Sequence, residues 1–85
     1  MNQQPECIVY CRTWCGDCAR AFRWLDDMGY EYTFVDIEED DAARERCVEL
    51  AGKVITPTFE IGPTCIVDFD PRALKAALGE PPHRP

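Results

Sequence analysis

The fold is decided by one short stretch of the chain, Cys15-Gly16-Asp17-Cys18, which follows an apolar run at 7–11. The pattern predicts a buried strand, a turn that carries two thiols, and a helix that begins at or just after the first thiol. A helix N-terminus stabilises a thiolate through its free backbone N–H groups and the positive end of the helix dipole. The two thiols therefore have the arrangement that thiol–disulfide exchange requires, with one to attack and one to resolve the mixed disulfide.

We expect the two thiols to have different roles. From Cys15 to Met28 the apolar residues recur at intervals of three and four, and Cys18 lies on that apolar stripe. This spacing places Cys18 on the inward side of the helix and leaves Cys15 at its exposed tip. Cys15 is therefore the expected nucleophile, and Cys18 is the expected resolving thiol.

Length and composition limit the class of protein. A chain of 85 residues with 46% hydrophobic and 29% charged residues indicates one ordinary globular domain, which we place at 1–79, with a proline-rich, disordered tail at 80–85. The longest apolar run is far shorter than the roughly 20 residues that a membrane span needs. The first residues lack the basic and apolar regions of a secretory signal. These features predict a cytoplasmic protein with no membrane association.

The charge distribution narrows the possible partners. A net charge of −7 argues against nucleic acid and against anionic membrane surfaces, because both bind basic patches. Three arginines nevertheless flank the two thiols: Arg12, Arg20 and Arg23. They are either solvated surface charges or a local cationic site that favours a thiolate and an anionic partner.

Six cysteines in 85 residues allow three interpretations. A secreted disulfide framework is disfavoured because the chain is regularly periodic and has no signal sequence. Cys11, Cys15 and Cys18 match the spacing that radical-SAM enzymes use for an iron–sulfur cluster, but those enzymes need a much longer chain. A zinc site is disfavoured because His83 is the only histidine. We therefore expect a redox pair and no metal site.

The other cysteines are expected to be small core residues. Cys7 and Cys11 lie at even spacing on the apolar run and share a face with Val9. Cys47 lies on the apolar stripe of a second predicted helix. A redox role for Cys7 or Cys11 is the less favoured alternative, and regulation through Cys47 or Cys65 is left open.

The remaining elements follow from periodicity and from the residues that begin and end helices. Asp40 opens the second helix, and Asp70 followed by Pro71 opens a third. The predicted order is strand, helix, strand, helix, strand, strand, helix, over residues 7–11, 15–28, 30–37, 40–51, 55–61, 64–67 and 71–78. The first two strands enclose a right-handed crossover and should be parallel, and the last two strands form an antiparallel hairpin. We therefore predict an α/β fold with a four-stranded mixed sheet and helices on both faces.

The second predicted strand carries three aromatic residues, Tyr30, Tyr32 and Phe34, in alternation with other side chains. A stacking platform for nucleic acid is disfavoured because no basic residue lies between them. We expect these rings to pack in the core.

Three motifs together resemble the glutaredoxin family along residues 6–79: Trp14-Cys15-Gly16-Asp17-Cys18, Val35-Asp36-Ile37-Glu38 and Thr56-Pro57-Thr58. The resemblance is closest to mycoredoxins and to the glutaredoxin-like redoxins that serve ribonucleotide reductase. It implies the minimal thioredoxin fold, whose order β-α-β-α-β-β-α is the predicted one. It also implies an oxidoreductase of electron transport and cell redox homeostasis.

The resemblance implies roles for particular residues. Pro57 would follow a cis peptide bond and face Cys15, and the backbone of Thr56 would pair with the bound peptide or thiol. Arg12 occupies the position at which glutaredoxins carry a basic residue that contacts the glycyl carboxylate of glutathione. Trp14 belongs to the matching motif and is expected at the thiol-binding site.

Two departures from the family pattern bear on the reductant. The motif has Gly16 and Asp17 where the common motif has proline and tyrosine, so no tyrosine closes the site. The Gly-Gly-x-Asp-Asp stretch that holds the γ-glutamyl end of glutathione is replaced at 65–70, where Asp68 or Asp70 and the first N–H groups of the last helix would do part of its work. Mycothiol, or a thioredoxin-reductase-type flavoenzyme, is therefore an alternative to glutathione.

The expected reaction is the reduction of protein disulfides or low-molecular-weight mixed disulfides by a monomer without a tightly bound cofactor. Cys15 attacks as a thiolate stabilised by the helix N-terminus and Arg12, and Cys18 or a small thiol resolves the intermediate. Asp17 either opposes the thiolate, assists proton transfer at Cys18, or points into solvent. The alternatives are a module that holds a [2Fe–2S] cluster between two subunits and a passive thioredoxin-fold adaptor.

Overall fold

The computed structural model describes residues 4–13 and 15–81. Its elements in chain order are β1 (Cys7–Cys11), α1 (Gly16–Met28), β2 (Thr33–Asp36), α2 (Asp41–Ala51), β3 (Thr58–Ile61), β4 (Thr64–Val67) and α3 (Pro71–Leu78). Their number and order within this part of the chain agree with the prediction. The division into a domain at 1–79 and a disordered tail stays a prediction, and residues 82–85 lie outside the described part.

The four strands of the described residues form one mixed sheet in the order β2-β1-β3-β4. β1 is parallel to β2, with Val9 beside Phe34, and antiparallel to β3, with Val9 beside Phe59. β3 and β4 form the predicted antiparallel hairpin. β1 is therefore a central strand, and its carboxyl end leads directly to the two thiols.

Each face of the sheet carries its own hydrophobic layer, because the side chains of β1 alternate between the faces. Cys7, Val9 and Cys11 pack with residues of α1 and α3 on one side, which we call the α1/α3 face. Tyr10 packs with residues of α2 on the other side, the α2 face. Leu25 of α1 is fully buried, and burying a side chain of this size contributes about 2 kcal/mol. The predicted helices on both faces are confirmed.

Capping residues set the ends of the helices, and of these the sequence predicts Asp70 as the N-cap of α3. The carboxylate of Asp40 accepts a hydrogen bond from Ala43 N at 3.1 Å, and Asp70 caps α3 in the same way. Gly29 ends α1 at φ 82°, a left-handed conformation that glycine adopts without steric cost. α1 begins differently, because its N-cap residue is Cys15, whose side chain accepts no hydrogen bond from the helix.

β2 is shorter than predicted and covers Thr33–Asp36 rather than 30–37. Before the strand, the backbone N–H of Tyr30 bonds at 3.0 Å to a carbonyl in the last turns of α1, so this residue still belongs to the helix end. After the strand, the carboxylate of Asp36 accepts a 2.8 Å hydrogen bond from the backbone two residues on, which turns the chain.

The aromatic residues of this segment are unequally buried. Tyr30 is buried as predicted, but Phe34 is 42% exposed, so the prediction that it packs in the core is wrong. The reason is that β2 is an edge strand. Tyr32 is half-buried and stacks on Phe22 at 5.3 Å, whereas Phe34 meets the same ring edge-on at 5.2 Å.

β3 begins at Thr58 rather than at residue 55, so residues 55–57 form a loop at the entrance to the sheet. The hydroxyl of Thr58 donates to the carbonyl of Ile55 at 2.7 Å and holds this loop closed.

None of the helices in the described residues is long and apolar enough to span a membrane.

Candidate active site

Cys15 lies between β1 and α1, where it is the N-cap residue of the helix. Its N–H bonds to the carbonyl of Arg12 at 3.3 Å, and its carbonyl accepts the first helical hydrogen bond, from Ala19 N at 3.1 Å. The thiol is half-buried and free. A thiol in this position can be reached from solvent and faces the positive end of the helix dipole.

The sulfur of Cys15 faces the loop that precedes β3. The hydroxyl of Thr56 donates to Cys15 Sγ at 3.5 Å, and the carbonyl of Thr56 lies 3.8 Å from the same sulfur. The peptide bond between Thr56 and Pro57 is cis, as the resemblance implies. The carbonyl of Pro57 accepts a hydrogen bond from Asp68 N at 2.9 Å, which joins this loop to the segment after β4.

Cys18 is bonded to Cys11 and not to Cys15. It lies in the first turn of α1 and is 1% exposed, and its disulfide partner Cys11, at the end of β1, is fully buried. Their Cα atoms are 6.0 Å apart, an ordinary separation for a disulfide. The prediction that Cys11 is simply a small core residue is therefore correct for its burial and wrong for its sulfur, because that sulfur meets the second thiol of the motif.

A cleft of about 440 Å³ opens beside the first turn of α1 and is lined by Asp17, Arg20, Asp68 and Phe69. Asp17 forms an ion pair with Arg20 on the same helix, and both side chains are exposed to solvent. Asp68 has a φ of 69°, a left-handed conformation that aspartate adopts more readily than most residues. The cleft thus combines an ion pair, a further carboxylate and an aromatic ring.

The other predicted binding residues have partners within the chain. Arg12 Nε lies 3.5 Å from Glu38 Oε1, so a ligand carboxylate would compete with Glu38. Asp70 is engaged as the N-cap of α3. Arg23 has a side chain that is 86% exposed and is a solvated surface charge. Trp14 lies outside the described residues.

The remaining cysteines, Cys7, Cys47 and Cys65, are free. Burial raises the pKa of the Cys7 thiol to about 11. The pKa of the Cys65 thiol is also raised, mainly by burial. The thiol of Cys47 is fully buried and donates to the carbonyl of Ile55 at 3.4 Å. Cys7 and Cys47 therefore have the predicted burial. Separately, residues 4–13 and 15–81 contain no group of three or more metal-ligating side chains arranged to hold an ion.

The model of the glutaredoxin family matches residues 7–66 of the chain. This match includes β1, both thiols of the motif and the loop with Thr56 and Pro57. The chain belongs to the glutaredoxin family. This membership supports a glutaredoxin-like redox function, in agreement with the exchange chemistry that the sequence predicts.

Solved structures of similar proteins confirm the thioredoxin-like fold. The thioredoxin-like protein BC3987 is 26% identical with a TM-score of 0.78, over 86% of this chain and 100% of that chain. The glutaredoxin of Methanosarcina mazei Go1 is 25% identical with a TM-score of 0.80, over 88% and 79%. The methanoredoxin of Methanosarcina acetivorans, at 21% identity, has the same fold with a TM-score of 0.81 over 92% and 96%. A comparison of this chain with curated proteins found no match.

Sequence reasoning missed two contacts of the site. The first is the disulfide, although its signal is present: Cys11 shares a face of β1 with Val9, and Cys18 lies on the inward stripe of the helix that covers that face. The second is the ion pair between Asp17 and Arg20, whose spacing of three residues brings side chains together on a helix surface.

Proposed function

We propose that this member of the glutaredoxin family is a dithiol oxidoreductase that reduces protein disulfides or low-molecular-weight mixed disulfides. The observation that carries the proposal is the position of Cys15, which is free, half-buried and at the N-terminus of α1. Its sulfur lies 3.5 Å from the hydroxyl of Thr56. The backbone of Thr56 is therefore where an extended substrate segment would lie while its disulfide meets Cys15.

In the proposed reaction, Cys15 attacks as a thiolate and forms a new S–S bond with one sulfur of the target. The other sulfur of the target leaves as a thiolate and takes a proton from solvent. In the form of the protein whose thiols are all reduced, Cys18 then attacks the sulfur of Cys15 and releases the remaining half of the substrate as a thiol. Two electrons pass from the protein to the target, and an external donor restores the reduced protein.

Glutathione is the donor that we propose first. Its ammonium group suits the carboxylate of Asp68 in the cleft, and its glycyl carboxylate suits Arg12. Related chemistry supports this assignment: buckwheat glutaredoxin has been solved as a complex with glutathione, and that chain is 25% identical with a TM-score of 0.68, over 86% of this chain and 68% of that chain.

Mycothiol and a thioredoxin-reductase-type flavoenzyme are the alternative donors. They belong to the proposal that the chain is of the mycoredoxin or ribonucleotide-reductase subtype, which rests on the three motifs at 14–18, 35–38 and 56–58. The pairing of Arg12 with Glu38 is the observation that keeps these donors as alternatives, because the carboxylate of glutathione would have to compete with Glu38 for the arginine.

The experiment is the reduction of hydroxyethyl disulfide with three donor systems in parallel. Turnover with glutathione and glutathione reductase supports the first assignment. Turnover only with NADPH and thioredoxin reductase assigns Arg12 to docking of the flavoenzyme, and turnover only with mycothiol supports the mycoredoxin subtype. Failure with all three systems contradicts the proposed function and leaves the adaptor alternative, in which both motif thiols are dispensable for partner contacts.

The cluster-binding alternative has its own test. A [2Fe–2S] cluster between two copies would use Cys15 of each copy and two external thiols as ligands. Protein purified anaerobically is expected to be colourless and free of labile iron. A brown protein with visible charge-transfer absorption would instead favour the cluster-binding function.

A further inference from the structure

The two sulfurs of the motif face different partners. Cys15 Sγ lies against Thr56, with 3.5 Å to the hydroxyl and 3.8 Å to the carbonyl, whereas Cys18 is bonded to Cys11 within the core. Cys15 is half-buried, and the other two thiols are at most 1% exposed. The described residues therefore contain an oxidised pair and a free, reachable thiol within one site.

We propose that Cys11 is a third redox residue and that the Cys11–Cys18 disulfide is a second oxidised form of the site. In this form Cys15 is retained as a free nucleophile. The inference rests on the proposed function, because that reaction produces the first oxidised form, in which Cys15 and Cys18 are bonded.

The second form arises from the first by internal exchange. The thiolate of Cys11 attacks the sulfur of Cys18, the Cys11–Cys18 bond forms, and the Cys15–Cys18 bond breaks with Cys15 as the leaving thiolate. One proton moves from Cys11 to Cys15 or to solvent. No electrons are gained or lost in this step, because the two electrons were transferred when the target disulfide was reduced.

Burial determines how the second form is reduced again. External thiols cannot reach Cys11 or Cys18, since both are buried in the hydrophobic layer of the α1/α3 face. Cys15 must first attack Cys18 and restore the exposed bond, which an external thiol then opens. Until that happens, an oxidised chain keeps the single-thiol chemistry of Cys15, so it can still exchange with a mixed disulfide.

The chain allows a direct test, because trypsin cleaves after Arg12 and after Arg20. Cys11 then lies in peptide 1–12, and both motif thiols lie in peptide 13–20. The native full-length protein is oxidised with stoichiometric glutathione disulfide, quenched in acid, alkylated with N-ethylmaleimide after unfolding, and digested without reductant. A Cys11–Cys18 bond joins the two peptides, whereas a Cys15–Cys18 bond leaves peptide 13–20 separate with an internal bond.

Two serine variants identify the partner. Cys11→Ser is expected to abolish the joined peptides and leave the internal bond of peptide 13–20. Cys7→Ser is the matched control, because Cys7 lies on the same face of β1, is also buried and belongs to the same peptide. It is expected to retain the joined peptides. Circular dichroism establishes that both variants are folded before they are compared.

A second measurement does not depend on a bond surviving digestion. In the oxidised native protein, brief labelling with N-ethylmaleimide at neutral pH should mark Cys15 on peptide 13–20. Cys7 should remain unlabelled because burial raises its pKa to about 11. In oxidised Cys11→Ser, labelling of peptide 13–20 should fall at least about tenfold, because Cys15 is then bonded to Cys18.

The outcomes separate this inference from the proposed function. Joined peptides that are lost in Cys11→Ser and kept in Cys7→Ser support the third redox residue. If the protein turns over a mixed disulfide but forms only the internal bond of peptide 13–20, the inference is overturned and the proposed function stands. The same conclusion follows if joining of the two peptides requires Cys7. If none of the three donor systems supports turnover and glutathione disulfide leaves all thiols reduced, but diamide, a direct thiol oxidant, joins the peptides through Cys11, the pairing stands and the proposed function fails.

Discussion

The two faces of the sheet use similar residues for different purposes. On the α1/α3 face, Cys11 of β1 meets a second thiol, and the free thiol of Cys15 lies at the end of the same helix. On the α2 face, the neighbouring residue Tyr10 donates to Glu60 at 2.7 Å, and Glu60 pairs with Arg46 at 2.6 Å. One face therefore carries a disulfide and a free thiol, and the other carries a hydrogen bond and an ion pair.

Cysteine itself shows what the difference teaches. Cys47 on the α2 face is as deeply buried as Cys11, but its thiol points at the carbonyl of Ile55 at 3.4 Å. The Cys47 thiol is free, whereas the sulfur of Cys11 is bonded to that of Cys18. The chemistry of a buried cysteine in this fold thus depends on the group nearest to its sulfur and not on burial.

The largest expected effect is a loss of turnover when a cysteine of the α1/α3 face, but not one of the α2 face, is replaced. Cys15→Ser should lower the turnover of hydroxyethyl disulfide by at least about 100-fold, because the attacking thiolate is removed. Cys65→Ser is the matched control, since Cys65 is also half-buried but belongs to the α2 face. The Cys65→Ser variant should retain its turnover of hydroxyethyl disulfide. The assignment of Cys15 as nucleophile fails if Cys15→Ser keeps activity while Cys18→Ser loses it.

A smaller effect is expected in the cleft. Asp68→Asn keeps a side chain that tolerates the left-handed conformation but removes the charge. We expect the KM for glutathione to rise by roughly fivefold with little change in kcat or melting temperature, because a charge-assisted contact with the ligand is lost. Asp70→Asn is the control, as asparagine is an equally good N-cap. A larger KM change in Asp70→Asn would assign the binding role to the other aspartate.

On the α2 face, the expected effect is on stability alone. Cys47→Ala leaves a small cavity in a fully buried position and should lower the free energy of unfolding by about 1 kcal/mol. Urea unfolding measures this change, and steady-state turnover of the same sample should be unaltered. A clear loss of activity in the folded variant would show that this thiol takes part in the exchange chemistry.

The smallest effect is expected from Glu60→Gln and depends on pH. The hydrogen bond from Arg46 lowers the pKa of Glu60, burial opposes this shift, and the bond from Tyr10 adds to the lowering. Because the folded-state pKa lies below the unfolded one, the carboxylate stabilises the protein fully above the unfolded pKa, and this contribution is lost as the pH falls through the folded pKa.

Urea unfolding at several pH values measures this contribution. Glu60→Gln should be slightly less stable than the wild type at pH 7, and the difference should shrink below about pH 4. A difference that is constant from pH 7 to pH 3 would mean that the substitution acts through packing and not through charge.

Local signals predicted most of the fold. The apolar run at 7–11, the helical stripe that ends at Met28, and the N-cap Asp70 are each found where the sequence places them. These features depend on neighbours a few residues away, so the sequence determines them directly. The parallel pairing of the first two strands and the antiparallel hairpin followed from general properties of β-structure.

The features that the residues alone did not predict depend on contacts between distant segments. The exposure of Phe34 follows from the position of β2 at the sheet edge, which the alternation of its side chains does not reveal. The bond between Cys11 and Cys18 requires the strand and the helix to pack face to face, with a Cα separation of 6.0 Å. The cis bond before Pro57 was implied by the resemblance and not by the residues themselves.

The disulfide also has a physical consequence outside catalysis. It joins the central strand to the helix across a sequence separation of 7. Closing so short a loop restricts the unfolded chain and stabilises the native state by about 2 kcal/mol. For a domain of this size that corresponds to roughly ten degrees of melting temperature. The melting temperature and the resistance to proteolysis should therefore both report the oxidation state of this cysteine pair. Both are expected to be higher when the Cys11–Cys18 disulfide is formed than when the two thiols are reduced.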